Sequence, residues 1–163
     1  MKITVLFLSV LMLLSGCSAA ETFETIGPVQ HLQGTSPEMA AVTLALPETA
    51  VAQTFGGEET VYECDGYTIL LQTLSSGNLT ATVQSLSGFS PEQLTVIKTG
   101  GDDLKRYDWV WTAAGEEGDI LGRASILDDG DYHYCLCVFT LANQSAKLSE
   151  EWNDLFSSFR LQR

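Results

Sequence analysis

A chain of 163 residues, 45% of them apolar, is long enough for one domain with a sizeable core and short for two. Its 21 acidic and 8 basic residues give a formal charge of −13, which repels phosphate backbones and anionic headgroups. Nucleic-acid binding and direct electrostatic membrane binding are therefore excluded; cations or basic surfaces are the attractive partners, although an acidic surface by itself does no more than keep a domain soluble.

The amino terminus has the three parts of an export signal: Lys2, an apolar run from Ile3 to Leu14 broken only by Thr4 and Ser9, then small residues. A membrane-spanning helix needs about 20 apolar residues, so this run is too short to be one. The segment that follows, Leu14-Ser15-Gly16-Cys17, resembles the lipobox of bacterial lipoprotein precursors. By that resemblance residues 1–16 are removed, and Cys17 becomes a diacylglyceryl-modified first residue. The membrane would then be a partner through this lipid, and the domain would sit extracytoplasmically, tethered by two chains rather than spanning. Removal of residues 1–16 leaves 147 residues and, with Lys2 gone, a charge of −14.

Residues 17–38 carry Gly27, Pro28, Gly34 and Pro37 with no sustained periodicity and read as a linker. As a coil of ~20 residues it would span ~25 Å. One domain, residues 39–163, follows. Ala41 to Leu46 is predicted as a strand stopped by Pro47, and Thr60–Cys64 and Tyr67–Leu74 flank Asp65-Gly66 as a hairpin with positive φ at both turn positions. Leu79, Val83 and Leu86 mark a helix, with Asn78 or Ser76 to cap it and Gly88 to end it; Ser90-Pro91-Glu92 is a capped turn. Leu94–Thr99, Lys105–Ala114, Asp119–Leu127 and Tyr132–Leu141, joined by short Gly- and Asp-rich links, form an antiparallel meander. A closing helix, Gln144 to Ser158, presents Leu148, Trp152, Leu155, Phe156 and Phe159 as one apolar stripe. Apolar residues on both faces of the meander require cover on both, which the two helices and the amino-terminal part would supply. The fold class is α+β: an antiparallel meander sheet covered by two helices.

The strand Tyr132–Leu141, its short polar link and the ending Leu155-Phe156-Ser157-Ser158-Phe159-Arg160-Leu161 resemble the carboxyl end of PsbP-like α-β-α sandwich proteins, common among small bacterial lipoproteins. Tyr62-Glu63-Cys64-Asp65-Gly66-Tyr67, Gly88-Phe89-Ser90 and the strand from Arg106 to Gly115 are similar to uncharacterised lipoproteins of gut Firmicutes. The resemblance runs from about Ala40 to Leu161 and implies a fold and an accessory or binding role; it carries over no functional residue.

With Cys17 lipidated, Cys64, Cys135 and Cys137 remain. Cys135 and Cys137 project from one strand face and do not bridge each other, whereas Cys64 pairs with one of them if its strand is adjacent; otherwise all three are small core residues. His133, Cys135 and Cys137 share that face, but three ligands in line do not close around zinc, because i and i+4 side chains stand ~13 Å apart. A buried mixed face, with His133 near the solvent end, is the plainer expectation. The turns at Asp102 and Asp103 and at Asp128, Asp129 and Asp131 should share one end of the meander, gathering five carboxylates as a weak candidate cation site, against ordinary turn chemistry. Tyr107, Trp109 and Trp111 line one strand face, as a stacking platform if exposed or as core if beneath the closing helix. No Gly-x-Ser-x-Gly elbow, phosphate loop or His-Glu metalloprotease motif occurs, and the histidines are His31 and His133. The expectation is a non-enzymatic binding or accessory lipoprotein of the cell envelope, without a cofactor and with an envelope protein as candidate partner. A ligand- or cation-capturing lipoprotein is the alternative, and an unrecognised hydrolase a weaker one.

Overall fold

The computed structural model describes residues 38–54 and 59–162; the signal, Cys17 and the linker up to residue 37 lie outside the described residues. Among the described residues there are nine strands, two α-helices and a 3-10 turn. They run in the order β1 (Val42–Thr43), β2 (Val51–Thr54), β3 (Glu59–Cys64), β4 (Tyr67–Ser75), α1 (Leu79–Ser87), the 3-10 turn Pro91–Gln93, β5 (Ile97–Gly100), β6 (Lys105–Gly115), β7 (Gly118–Asp128), β8 (Tyr132–Leu141), α2 (Ser145–Ser158) and β9 (Arg160–Leu161).

Seven strands form one sheet in the order β2-β3-β4-β8-β7-β6-β5, with every neighbouring pair antiparallel. The meander from β5 to β8 follows the chain. The amino-terminal strands differ from expectation: β2 to β4 extend the sheet beyond β8 instead of covering it, and β2 adds an edge strand that sequence patterning had not suggested. The predicted strand Ala41–Leu46 shrinks to Val42–Thr43, which pairs with β9 apart from the main sheet.

Local chemistry fixes the boundaries. Asn78 caps α1 by accepting the Ala81 N–H at 3.0 Å, and Gly88 ends it at φ 76°. At the β3–β4 hairpin only Gly66 takes a positive φ, 85°; no described non-glycine residue does, so Asp65 departs from the turn geometry first expected. α2 ends under Arg106, which donates to the carbonyls of Phe156 (3.0 Å) and Phe159 (3.4 Å). A guanidinium there satisfies terminal carbonyls and complements the negative end of the helix dipole. Its other edge is held by Asp108 at 2.8 Å.

Each face of the sheet has its own core. On the first, α1 sets Val83 and Leu86 against Trp109, Trp111, Ala124, Ile126, Cys135 and Cys137. On the second, Trp152, Leu155, Phe156 and Phe159 pack with Tyr67, Ile69, Tyr134, Leu136 and Val138. Strand alternation produces both sets: along β8, odd residues face α1 and even residues face α2. Of the predicted stripe Trp152, Leu155, Phe156 and Phe159 are buried and Leu148 partly so, and each fully buried large side chain contributes ~1.5–3 kcal/mol by leaving water.

Candidate functional site

The β7–β8 turn carries Asp128, Asp129 and Asp131, and the β5–β6 turn Asp102 and Asp103. Gly100 pairs with Lys105 and Lys105 with Asp128, so the β5–β6 and β7–β8 turns lie at one end of the sheet. The oxygens there serve the turn itself. Asp128 Oδ1 accepts the Gly130 N–H at 2.9 Å; Asp129 Oδ1 accepts those of Asp131 and Tyr132 at 3.0 and 2.8 Å, and its Oδ2 accepts the Tyr134 hydroxyl at 3.0 Å. These are side-chain-to-backbone bonds of the kind that lets Asp build turns. Tyr134 in turn accepts the Ala40 N–H at 2.9 Å, tying the segment before β1 to β8. Asp102 and Asp103 stand exposed on the neighbouring turn, and Lys105 lies opposite Asp128. Asp102, Asp103, Asp128, Asp129 and Asp131 therefore do not converge: among the described residues no group of three or more His, Cys, Asp or Glu is placed to hold a metal ion.

The condition for a bridge from Cys64, an adjacent strand, is not met, since β4 lies between β3 and β8. Cys64 is opposite Tyr67 on β4, whereas Cys137 and Cys135 are opposite Leu70 and Gln72. Cys64 is thus two strands away and at least three residues displaced, ~14 Å at ordinary sheet spacings. It also packs against the α2 core, while Cys135 and Cys137 belong to the α1 core. A bridge needs Cα atoms within about 7 Å, and all three cysteines are free. Burial raises the Cys135 thiol to about 12 and Cys137 likewise upward, so neither is a ready nucleophile. Burial also raises Cys64, with the nearby Glu151 and Glu63 carboxylates adding to it against a hydrogen bond from Tyr67.

His133 is not near solvent. It is 2% exposed, beneath α1, with Nδ1 2.9 Å from Thr82 Oγ1 and Nε2 4.0 Å from Asp128 Oδ2. Thr82 Oγ1 also lies 3.3 Å from the Asn78 carbonyl, so it ties His133 to the first turn of α1. Burial lowers the imidazole pKa, against the raising influence of Asp128 and Asp129. Sequence patterning does not single out Thr82; its place beside Val83 on the buried side of α1 is the one clue.

The aromatic row is core, as expected, but under α1 rather than the closing helix. Trp109 and Trp111 are 3% and 7% exposed and stack with centroids 6.3 Å apart, and Trp111 meets Phe139 edge-on at 5.8 Å.

Two surface features remain. A cleft of about 170 Å³ lies over β3, β4 and β8, lined by Val42, Thr60, Leu71, Thr73, Tyr134 and Phe159 among others. Beyond the reach of α2, the second face is bare at its β5 edge. Arg123 lies over the Phe156 ring at 4.1 Å and donates to Asn153 at 2.9 Å, so cover extends to β7. Val110, opposite Arg123 on β6, is 58% exposed, as is Ile97, opposite Asp108 on β5. Ile97 and Val110 are diagonal neighbours on one face. Sequence patterning concealed them because the strand is apolar on both sides and cover was expected over both.

No protein-family model matches the chain, and no curated protein matches it. Among solved structures it is similar to LpqN of Mycobacterium tuberculosis, described as involved in cell envelope biogenesis, with a TM-score of 0.51 at 11% identity over 78% of this chain and 86% of that one. At that identity the likeness is one of fold. No helix among the described residues is long and apolar enough to cross a membrane.

Proposed function

We propose that this protein is a lipid-anchored, extracytoplasmic accessory module of the cell envelope that docks a partner protein and performs no chemistry of its own. The observation that carries the docking reading is the bare β5–β6 face, where Ile97 and Val110 stand together half exposed beside an ion pair, Arg106 with Asp108. An apolar centre flanked by charge is the make-up of a protein interface. Strand addition to β5 is disfavoured, since a strand of four residues carrying Lys98 is a guarded edge; the face is the docking surface. The tether rests on Leu14-Ser15-Gly16-Cys17, and the envelope setting draws support from the fold shared with LpqN, itself involved in cell envelope biogenesis. A PsbP-like sandwich is the finer fold we propose, supported by helices on opposite faces of an antiparallel sheet.

Capture of a small ligand is the second reading, favoured by the cleft beside Tyr134. Its volume of about 170 Å³ is below the ~300–1,000 Å³ usual for ligand pockets. A photo-cross-linking residue at Val110 or Ile97, introduced in living cells, should give one discrete adduct of higher mass, and at Gln84 on α1 none. Absence of any adduct at 97 and 110, together with a metal or metabolite that raises the melting temperature, would replace docking by capture.

A further inference from the structure

α1 is a weak helix held by what lies beneath it. Its nine residues include Thr80, Thr82 and Val83 as β-branched positions and Ser85 and Ser87, with no acidic residue in the first turn and no basic one in the last. A helix of that length is marginal alone and persists through packing. Val83 and Leu86 supply the apolar contact, and Thr82 joins His133 on β8 at 2.9 Å. Beneath it lie four groups sealed from water: Cys135 and Cys137, 1% and 0% exposed, and Trp109 and Trp111.

The surroundings of His133 are sided. From β7 and its turn, Asp128 stands 4.0 Å from Nε2, with Asp129 behind it, and Lys105 of β6 lies opposite Asp128. From α1 come only the uncharged Thr82 and, at the cap, Asn78. On β4, Leu74 is its register partner. A neutral ring keeps its hydrogen bond with Thr82 through Nδ1 and carries no charge that burial would penalise. A protonated ring gains Asp128 but is denied water by α1, and water is what an imidazolium most requires.

We propose that α1 is an acid-released lid: protonation of His133 lifts the helix from the sheet and uncovers the face bearing Cys135, Cys137, Trp109 and Trp111. The sign follows from linkage. An imidazole whose proton affinity is depressed in the closed form and ordinary in the open form binds its proton more readily when open. Closure is therefore strongest above pH ~6.5 and weakens as pH falls towards the closed-form value, below which it changes no further. Between those limits the open population rises by at most about tenfold per pH unit.

The test is peptide-resolved labelling of the full mature chain with a pyridyl disulfide, which reacts with thiols down to acidic pH. Labelling of Cys135 and Cys137 should accelerate as pH falls from 7 to 5, while the sheet signal in far-UV circular dichroism and the labelling of Cys64, on the opposite face, hold steady. His133→Gln keeps a hydrogen-bonding group without the titration and should flatten the profile. Asp128→Asn retains the oxygen that accepts from Gly130 but removes the charge that offsets protonation, and should steepen it. A flat profile in the unmodified chain, a His133→Gln profile as steep as the original, or exposure of Cys135 and Cys137 only with global unfolding would each overturn the lid. If His133→Gln does not fold, His133→Asn takes its place, and a profile as steep as the original then overturns the lid.

Discussion

Phe156→Ala should lower stability by about 3–5 kcal/mol, measured as a fall in the urea midpoint with an unchanged slope. Phe156 is 1% exposed at the centre of the α2 core, where Leu155, Trp152 and Phe159 join Tyr134, Leu136 and Val138. Its truncation leaves a cavity that a seven-stranded sheet does not collapse to fill, and it removes the ring on which Arg123 rests at 4.1 Å. Arg123 is held partly out of water, so that burial lowers its pKa, and losing the ring strands part of that guanidinium. Against a total of ~5–15 kcal/mol for an ordinary domain, the variant should be marginally folded at best. A loss below about 1 kcal/mol would mean that α2 is not docked as described.

Gly122→Val should be comparably damaging for the opposite reason. Gly122 lies on β7 directly opposite Trp111, and a Cβ built there would stand 2.3 Å from Trp111 Cζ2 and 2.4 Å from Cε2. The indole occupies the room a side chain would take. It has no simple retreat, with Trp109 stacked on one side and Phe139 edge-on at 5.8 Å. Overpacking of this kind costs ~1–3 kcal/mol and sometimes more, and a branched residue lies at the upper end. Tryptophan emission should shift to the red and the melting temperature should fall. A Gly122→Val protein as stable as the original would show that Trp111 does not lie across β7.

The legible part of the fold was the part with local chemistry. Asn78 and Gly88 bracket α1, Gly- and Asp-rich links set the β5–β8 meander, and the α2 stripe announces its buried face, because cap, turn and period are all written within a few residues. Positions set by distant pairing were not legible. Nothing in Val51–Thr54 alone indicates that it joins β3 as an edge, nor that Val42–Thr43 leaves the sheet for β9, since both depend on partners far along the chain. The site candidates divide in the same way. Asp128 and Asp129 could be assigned to a turn from their neighbours, and that is where their oxygens are bonded. Separating Cys64 from Cys135 and Cys137 required the register and the face, and finding Thr82 under α1 required knowing that the helix covers His133. Ile97 and Val110 were missed because binary pattern shows that a residue is apolar, not that α2 stops one strand short of it.

The reading of this chain as a module working from a membrane surface rests on Cys17, and growth in radiolabelled palmitate tests it most directly. The unaltered protein should carry label and remain with membranes, and Cys17→Ala should lose the label and retain its export signal uncleaved at residue 16. An unlabelled protein, or label persisting in Cys17→Ala, would contradict the account.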